Sequence, residues 1–242
     1  MALPNAQAVL HLQDSINYPA GTQLGSNTPW ASPQTAITVT NSFLTYSNLA
    51  DLAPTGNVIS VATGTSSLIS YRPLGFPATN GSVYFSFLIR YTAFAGSYYR
   101  AGLLQSTNLN PAATADPLDL IDNSSGSGFK LGVRGKGGTT AYVTNAFNPL
   151  QLNTTYFAVM KYNFTSGTAS MWINPQPGAP ETPPEALSAA SGGIGVQDLT
   201  YLYVRCTSAV SRFLLDTIRV GATWAEVTPP SVSTPATLAF TI

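Results

Sequence analysis

The chain has 242 residues, and ten basic side chains balance ten acidic ones, so the net charge is zero and only 8% of residues are charged. This balance argues against a nucleic-acid partner, which needs a basic face to neutralise phosphates, and against binding to an anionic membrane. Hydrophobic residues make up 44% and aromatic residues 11% of the chain, which is unlike a disordered protein and sufficient for a large core.

The chain is predicted to consist of many short strands with almost no helix. In chain order, the predicted strands are residues 9–17, 36–40, 43–46, 58–61, 68–72, 83–91, 99–105, 129–134, 141–144, 155–164, 168–173, 201–207 and 213–221. Turn signals separate them at residues 54–57, 80–81, 124–128, 137–138 and 163–167. Only residues 223–227 resemble a helical turn, which Pro229 and Pro230 end.

The pattern within the longest strands indicates how they pack. Apolar side chains recur with period two in residues 83–91 and again in residues 155–164. Both faces of residues 83–91 are partly apolar, which is typical of a central strand in a two-layer sandwich. More than ten short strands without intervening helices therefore predict an all-β, antiparallel two-sheet β-sandwich or jelly roll.

We predict a single domain over residues 1–229, followed by a Ser/Thr/Pro spacer and an apolar tail at residues 230–242. Within the tail, Leu238, Phe240 and Ile242 alternate with smaller residues and share one side. A short apolar strand of this kind can add to the edge of a sheet, either on its own domain or on a neighbouring copy. The alternative is a tail that packs loosely on its own domain. No run approaches the 18 or so apolar residues of a membrane span, so no membrane insertion is expected.

Two segments carry a family resemblance. They are Met171-Trp172-Ile173-Asn174-Pro175 and the closing run Leu215-Asp216-Thr217-Ile218-Arg219-Val220-Gly221, with Trp224 three residues after it. Weaker matches at residues 12–22, 37–40, 44–46, 83–88 and 156–162 extend the pattern over nearly the whole chain. In this pattern the chain resembles the laminin-G-like, concanavalin A-like jelly-roll domains of bacterial secreted and surface proteins, of the non-catalytic type. The resemblance implies two curved antiparallel sheets. It implies little about activity, because the superfamily includes lectins, glycan hydrolases, lyases and structural domains.

The residues that glycan hydrolysis requires are not visible in the sequence. Such enzymes need two carboxylates about 5–5.5 Å apart for retention, which on one strand calls for acidic residues two or four apart. Of the three glutamates, Glu181 and Glu185 lie in a Pro-rich loop and Glu226 lies in the terminal turn. A serine triad has only His11 to draw on. We therefore expect no enzyme activity, and the single Cys206 excludes an intrachain disulfide.

One acidic segment is a candidate calcium site. Asp116, Asp119 and Asp122 are spaced three residues apart, which is wrong for one face of a strand but suits a loop that offers oxygen ligands to Ca²⁺. The alternative is a solvated loop with capping aspartates. No other cofactor is expected.

Exposed aromatic side chains are the candidates for carbohydrate binding, because sugar rings stack on them. The candidates are Tyr98, Tyr99, Tyr142, Tyr201 and Tyr203. The alternative is that these rings belong to the core, as most aromatics in a sandwich do. The three tryptophans, including Trp224, are expected to pack structurally.

Asp216 is predicted to be a structural residue. It lies in an apolar strand and is predicted to share a face with Leu214, Ile218 and Val220. A buried carboxylate must be paired or hydrogen-bonded, so we expect Arg219, Arg205 or backbone amides as its partners.

These observations favour a non-catalytic structural or assembly protein at a cell or particle surface, such as a coat, sheath, filament or virion decoration. The scarcity of charge favours packing among copies of the same chain, because neutral surfaces repel each other little. The second hypothesis is a carbohydrate-binding, lectin-like module, and the third is an unrecognised glycan-active enzyme. The expected partners are other copies of the chain or a surface assembly, or a glycan. The expected location is extracellular, at a cell surface or virion surface.

Overall fold

Strands make up almost all of the regular structure in the described part of the chain. The structure is a computed structural model that describes residues 10–50, 56–62, 68–96, 98–105, 118–125, 128–135, 138–144, 149–188, 198–206 and 211–231. The strands are β1 (Leu10–Asp14), β2 (Ile37–Thr40), β3 (Val58–Val61), β4 (Leu68–Ala78), β5 (Ser82–Ala93), β6 (Tyr98–Leu104), β7 (Leu118–Ser125), β8 (Gly128–Gly135), β9 (Ala141–Tyr142), β10 (Thr155–Asn163), β11 (Thr168–Ile173), β12 (Ala186–Ser188), β13 (Leu199–Cys206) and β14 (Arg212–Gly221). A 3-10 turn at Leu24–Ser26 and a one-turn helix, α1 (Trp224–Val227), complete the described elements.

The strands form two antiparallel sheets. The eight-stranded sheet has the order β12-β11-β10-β5-β14-β3-β2, and β1 pairs alongside β14 as its eighth member. The six-stranded sheet has the order β4-β13-β6-β7-β8-β9. Neighbours far apart in sequence, such as β5 and β14, give the crossing connections of a jelly roll. The predicted all-β, two-sheet architecture is confirmed.

The main core lies between the sheets. Val83, Phe85, Phe87, Ile89 and Tyr91 of β5 all point into it and are fully buried, as the period-two pattern predicted. Full burial of such a side chain contributes roughly 1.5–3 kcal/mol relative to leaving it exposed. Strand β5 is central, since it pairs with β10 on one side and β14 on the other.

The outer face of the eight-stranded sheet is covered by irregular segments and by α1. Trp172 and Trp224 meet there edge to face, with their ring centroids 5.0 Å apart. Each indole N–H donates to a carbonyl of the Pro-rich loop at 2.9 Å, Trp172 to Thr182 and Trp224 to Ala179. The tryptophans therefore attach this loop to the sheet. Glu226 caps α1 by accepting a hydrogen bond from the Thr223 amide at 2.8 Å.

Several predicted boundaries are wrong for identifiable reasons. Residues 43–46 form no strand, although they alternate as a strand does: Leu44 is buried in the covering layer and Phe43 is 53% exposed, but no neighbouring strand pairs with them among the described residues. The segment interpreted as an acidic loop is instead strand β7, whose carboxylates are buried. Strand β4 continues through Pro73 and Pro77, which an edge position allows because one side of the strand needs no amide donors. Strand β12 was not predicted.

The chain end is anchored up to the last described residue. The Ala50 amide donates to the Pro229 carbonyl at 3.0 Å, and the Ser231 amide donates to the Asn48 carbonyl at 2.8 Å. Residues 232–242, which hold the predicted apolar strand, lie outside the described residues, and so do residues 1–9. The division at residue 229 stays a prediction. Within the described ranges, no helix has the length and hydropathy of a bilayer span.

Candidate functional site

A row of side chains crosses the outer face of the six-stranded sheet. The strand registers place Tyr71, Tyr203, Gly102, Asp119 and Arg134 next to one another, on β4, β13, β6, β7 and β8. Both strand neighbours of Tyr203, Gly102 and Asp119 belong to the main core, as does Val133 next to Arg134, so these residues face away from the core. Tyr71 lies directly opposite Tyr203 in the register and therefore shares its face. We call these five residues the cross-sheet row.

The centre of the cross-sheet row is a buried polar cluster. The Tyr203 ring passes over Gly102, where a Cβ atom would lie 2.8 Å from the ring. Its hydroxyl donates to Asp119 Oδ1 at 2.5 Å, and Arg134 Nη2 donates to Asp119 Oδ2 at 2.8 Å. Tyr203 and Asp119 are fully buried. Tyr203 therefore uses its hydroxyl within the protein and has no ring face open to a ligand.

Asp122 belongs to a second buried cluster, on the inner side of the same strand. Its Oδ2 accepts hydrogen bonds from Arg100 Nε and, at 3.0 Å, from the Tyr91 hydroxyl. Arg100 sits where the β6–β7 register shifts between Tyr99 and Ala101, and only 1% of its surface is exposed. Burial, together with the nearby Asp122 carboxylate, raises the pKa of Tyr91 well above its usual value. Tyr91 therefore stays a neutral donor.

The three aspartates of the predicted calcium site do not lie together in the described structure. Asp119 and Asp122 lie on opposite faces of β7, because they are three positions apart on the strand, and each is ion-paired with a different arginine. The structure does not bring them together as ligands. Asp116 lies outside the described residues. Across the described ranges, no group of three His, Cys, Asp or Glu side chains is placed to hold a metal ion. Calcium binding by this segment stays a prediction.

Two tyrosines at one edge of the outer face keep part of their surface exposed. Tyr71 on β4 and Tyr201 on β13 contact each other edge to face, with ring centroids 5.8 Å apart. Both rings are half-buried, and exposed Pro73 lies directly opposite Tyr201 in the register. Both rings pack against the buried side chains of Ile69, Leu104 and Tyr203 on the same face of the sheet. We call Tyr71, Tyr201 and Pro73 the tyrosine patch.

The other tyrosine candidates are placed differently. Tyr142 lies against Gly132. The Lys130 ammonium lies over the Tyr142 ring, 4.5 Å from its centroid. The Tyr142 hydroxyl accepts a hydrogen bond from the side-chain amide of Asn123 at 3.3 Å. This ring is largely engaged by the protein itself. Tyr98 and Tyr99 lie in β6, but their side chains are outside the described part of the structure. Sequence reasoning named Tyr201 but missed Tyr71, whose exposure depends on packing at the sheet edge.

Asp216 accepts hydrogen bonds from backbone amides. Its Oδ2 accepts from the Leu44 amide at 2.8 Å and its Oδ1 from the Thr217 amide at 2.7 Å. The predicted shared face is wrong in part. Asp216 and Leu214 face the covering layer, but Ile218 and Val220 face the main core, because β14 has a bulge in which Thr217 has a φ of 52°.

Of the two arginines predicted as partners of Asp216, Arg205 lies on β13, in the other sheet, and a pair between Asp216 and Arg219 stays a prediction. Arg219 donates to the Ala50 carbonyl, and this bond fixes the segment that covers the eight-stranded sheet. Arg219 and Asp216 therefore hold the same covering segment at two points, Ala50 and Leu44.

Another polar cluster fixes the end of β1 and the residues that follow it. Asp14 Oδ2 accepts hydrogen bonds from the Trp30 indole at 2.9 Å, the Tyr18 hydroxyl at 3.1 Å and Arg72 Nη1. Its Oδ1 accepts from the Ile16 amide at 2.9 Å. Because Arg72 is on β4 and Asp14 is on β1, this cluster joins the two sheets. Partial burial and the Asp14 carboxylate raise the pKa of Tyr18 to about 12.

Seven carboxylates among the described residues are engaged structurally. Asp14, Asp119 and Asp122 are ion-paired with arginines, and Glu181 is ion-paired with Lys161 at 2.9 Å. Glu185 accepts from the Ile173 amide at 2.9 Å, and Asp216 and Glu226 also hold backbone amides. None of these bonds joins two carboxylates.

Comparisons with known proteins identify the fold. No protein-family model and no curated protein sequence matches the chain. The chain is similar to a sialidase, with 10% identity and a TM-score of 0.55, over 90% of this chain and 19% of that one. It is also similar to the metal-free exoplasmic/lumenal domain of VIP36, with 10% identity and a TM-score of 0.51, over 94% of this chain and 100% of that domain. A glycosyl hydrolase family 16 protein from Mycobacterium smegmatis str. MC2 155 matches with 15% identity and a TM-score of 0.45, over 88% of this chain and 100% of that one.

These likenesses show the fold alone. The chain has a concanavalin A-like jelly-roll sandwich. It spans about a fifth of the length of the sialidase chain. The finer resemblance to laminin-G-like domains stays a prediction.

Proposed function

We propose that this protein is a non-catalytic carbohydrate-binding module that holds a sugar ring against the tyrosine patch. The observation that carries the proposal is the contact between Tyr71 and Tyr201, two half-buried rings on adjacent strands of the outer face. Tyrosine combines an apolar ring with a polar hydroxyl, which suits a sugar that has an apolar face and hydroxyl groups at its edge.

Rigidity of the patch supports the proposal. Tyr71 exchanges two backbone hydrogen bonds with Ala31, at 2.8 and 3.2 Å, so the β4 edge is held in place. Contact with the buried side chains of Ile69, Leu104 and Tyr203 restricts the movement of the two rings. A site built on strands and fixed by packing loses little conformational entropy when a ligand binds.

The arrangement of acidic groups supports the non-catalytic part of the proposal. Asp119, the carboxylate in the cross-sheet row, is fully buried and bonded to Arg134 and Tyr203. A general acid or base has to come within hydrogen-bond reach of the substrate. Asp119 does not meet that condition, so we expect binding without cleavage.

The proposal can be tested with an oligosaccharide array and purified full-length protein. The best-binding oligosaccharide is then titrated against wild type and against the Tyr71→Ala and Tyr201→Ala variants. We expect each variant to bind at least about tenfold more weakly, which corresponds to about 1.4 kcal/mol. The control is Phe43→Ala, which removes an aromatic ring that is 53% exposed in the layer covering the other sheet.

Two results would count against the proposal. One is the absence of binding to any oligosaccharide on the array. The other is unchanged affinity in Tyr71→Ala and Tyr201→Ala when both variants keep the wild-type melting temperature. Release of new reducing ends from the bound oligosaccharide would contradict the non-catalytic part.

Self-assembly at a cell or particle surface is a second candidate function. It is supported by Leu187, which is 57% exposed on β12, the strand at one end of the eight-stranded sheet. An edge strand with an exposed apolar side chain is a template for pairing with another chain. The low charge of the chain removes the repulsion that would oppose such pairing. Both candidate functions are consistent with the expected extracellular or virion-surface location.

A further inference from the structure

A groove of about 550 Å³ lies at one end of the sandwich, away from the tyrosine patch. One wall is the end of β4, with Pro77 and Ala78, and continues into the turn residues Thr79 and Asn80. The other wall belongs to the eight-stranded sheet and contains His11, Ser82 and Ala222. This volume falls within the range of about 300–1,000 Å³ that is typical of small-molecule sites.

The local backbone places the only histidine of the chain in this groove. Leu10 pairs with Gly221 and Leu12 pairs with Val220, so His11 is the additional residue of a bulge in β1. A bulge changes the direction in which a side chain points, and bulges are frequent next to binding sites. Gly75 allows β4 to pass close to this point, since a Cβ atom there would lie 2.9 Å from the His11 carbonyl oxygen.

The chemistry of the groove indicates a neutral ligand. Its polar groups are the imidazole of His11, the hydroxyls of Thr79 and Ser82, and the amide of Asn80. None of the described lining residues is an acid, a lysine or an arginine. A charged ligand would lose hydration without gaining a counter-charge, whereas the hydroxyl groups of a neutral ligand can exchange hydrogen bonds with the side chains of Thr79, Ser82 and Asn80.

We propose that this groove binds a small neutral polyhydroxylated ligand, a mono- or disaccharide. Pro77, Ala78 and Ala222 supply an apolar surface for the C–H face of the sugar, and the polar groups bond its hydroxyls. This site is separate from the tyrosine patch and does not depend on the function proposed for that patch. The protein would then hold two sugars at two distinct places.

The test uses full-length protein and a panel of neutral mono- and disaccharides, with binding followed by isothermal titration and saturation-transfer NMR. Ala222→Phe places a ring in the groove and should abolish binding of the panel sugar that binds. Ala225→Phe makes the same change at an exposed position of α1, outside the groove, and should leave binding unchanged. Thr79→Ala, at an exposed turn, should weaken binding about three- to tenfold without altering the fold.

The two sugar sites can be told apart in the same experiment. Tyr201→Ala should leave groove binding intact. The groove proposal is overturned if no panel sugar binds, or if a folded Ala222→Phe protein binds as well as wild type. It is also overturned if Thr79→Ala has no effect while Tyr201→Ala abolishes binding, which would assign the sugar to the tyrosine patch. If Ala222→Phe fails to fold, Thr79→Ala alone decides the outcome.

Discussion

Tyr203 reaches across a neighbouring strand to donate a hydrogen bond to Asp119, at 2.5 Å. The strand between them, β6, contributes Gly102 at this level, and no larger residue fits beneath the ring. A glycine, a tyrosine and an aspartate on three successive strands thus form one structural unit. Arg134 extends the unit to a fourth strand.

Gly102→Ala is expected to destabilise the protein by about 1–3 kcal/mol, the usual cost of overpacking a well-packed site. The new Cβ would lie 2.0 Å from the Leu118 carbonyl oxygen and 2.8 Å from the Tyr203 ring, so backbone as well as side chain must move. Urea unfolding measures the loss. Gly135→Ala is the control, because its nearest neighbour would be 3.2 Å away, and it should cost less. Equal stability of the two variants would contradict this account.

Breaking the inner ion pair should cost far more than breaking an exposed one. Asp122→Ala leaves Arg100 buried without its carboxylate, and we expect a loss of about 3–5 kcal/mol. Glu181→Gln removes the charge that Lys161 pairs with at a partly exposed position, and should cost about 1 kcal/mol or less. Thermal unfolding of both variants provides the comparison. Similar losses in the two would show that burial does not control the strength of these pairs.

Asp216→Ala should loosen the segment that covers the eight-stranded sheet. The Leu44 amide would lose its acceptor, and a buried unsatisfied amide costs about 1–3 kcal/mol. Hydrogen exchange at the Leu44 amide and the melting temperature report the change. The amount of sugar bound at saturation should stay constant. Asp216→Asn keeps an acceptor oxygen and should be milder. A melting temperature in Asp216→Ala equal to that of wild type would show that the carboxylate has no structural role.

The free energy of unfolding should fall as the pH rises from about 10 to about 12. The pKa of Tyr18 is raised to about 12 in the folded protein from an ordinary value of 10.0, so the folded state keeps a proton that the unfolded state releases. The contribution is complete below pH 10 and is lost as the pH approaches 12. Tyr18→Phe should have a shallower alkaline slope in its unfolding free energy. An identical slope in wild type and Tyr18→Phe would refute the assignment.

Removing residues 232–242 should leave the domain folded and weaken self-association. The cut is placed after Ser231 because the Ser231 amide donates to the Asn48 carbonyl, and that bond should be kept. Light scattering over a concentration series compares the truncated and full chains, and circular dichroism checks the fold. If both forms associate equally, the tail does not mediate contacts between copies.

Much of the architecture could be predicted because it depends on local pattern. In β5 and β10, side-chain alternation alone assigns each residue to a face, and the two faces are as predicted. Strand β7 was missed because its acidic residues suggest a solvated loop. Their burial depends on Arg100 and Arg134, which come from the two flanking strands and cannot be assigned from β7 itself.

The candidate sites were less accessible to sequence reasoning. Tyr201 was identified from its residue type. Its ring contact with Tyr71, however, depends on the register between two strands about 130 residues apart in sequence. Because of the bulge at Thr217, Ile218 and Val220 lie on the face opposite to the one predicted. Nothing in the sequence of β14 indicates this bulge. The groove at His11 joins residues from three distant parts of the chain, so no single motif identifies it.

The pairing of β1 with β14 has a consequence for synthesis of the chain on the ribosome. Leu12 pairs with Val220, so β1 has no partner within its sheet until the chain has been made as far as residue 220. Strand β14 also pairs with β3 and β5. Three earlier strands, β1, β3 and β5, therefore cannot form these pairs until β14 has been synthesised. The eight-stranded sheet therefore closes only after translation has passed residue 221, and folding is dominated by slow, long-range pairing. Until then the edges of β1, β3 and β5 that pair with β14 present unpaired backbone amides and carbonyls, which can pair with other chains.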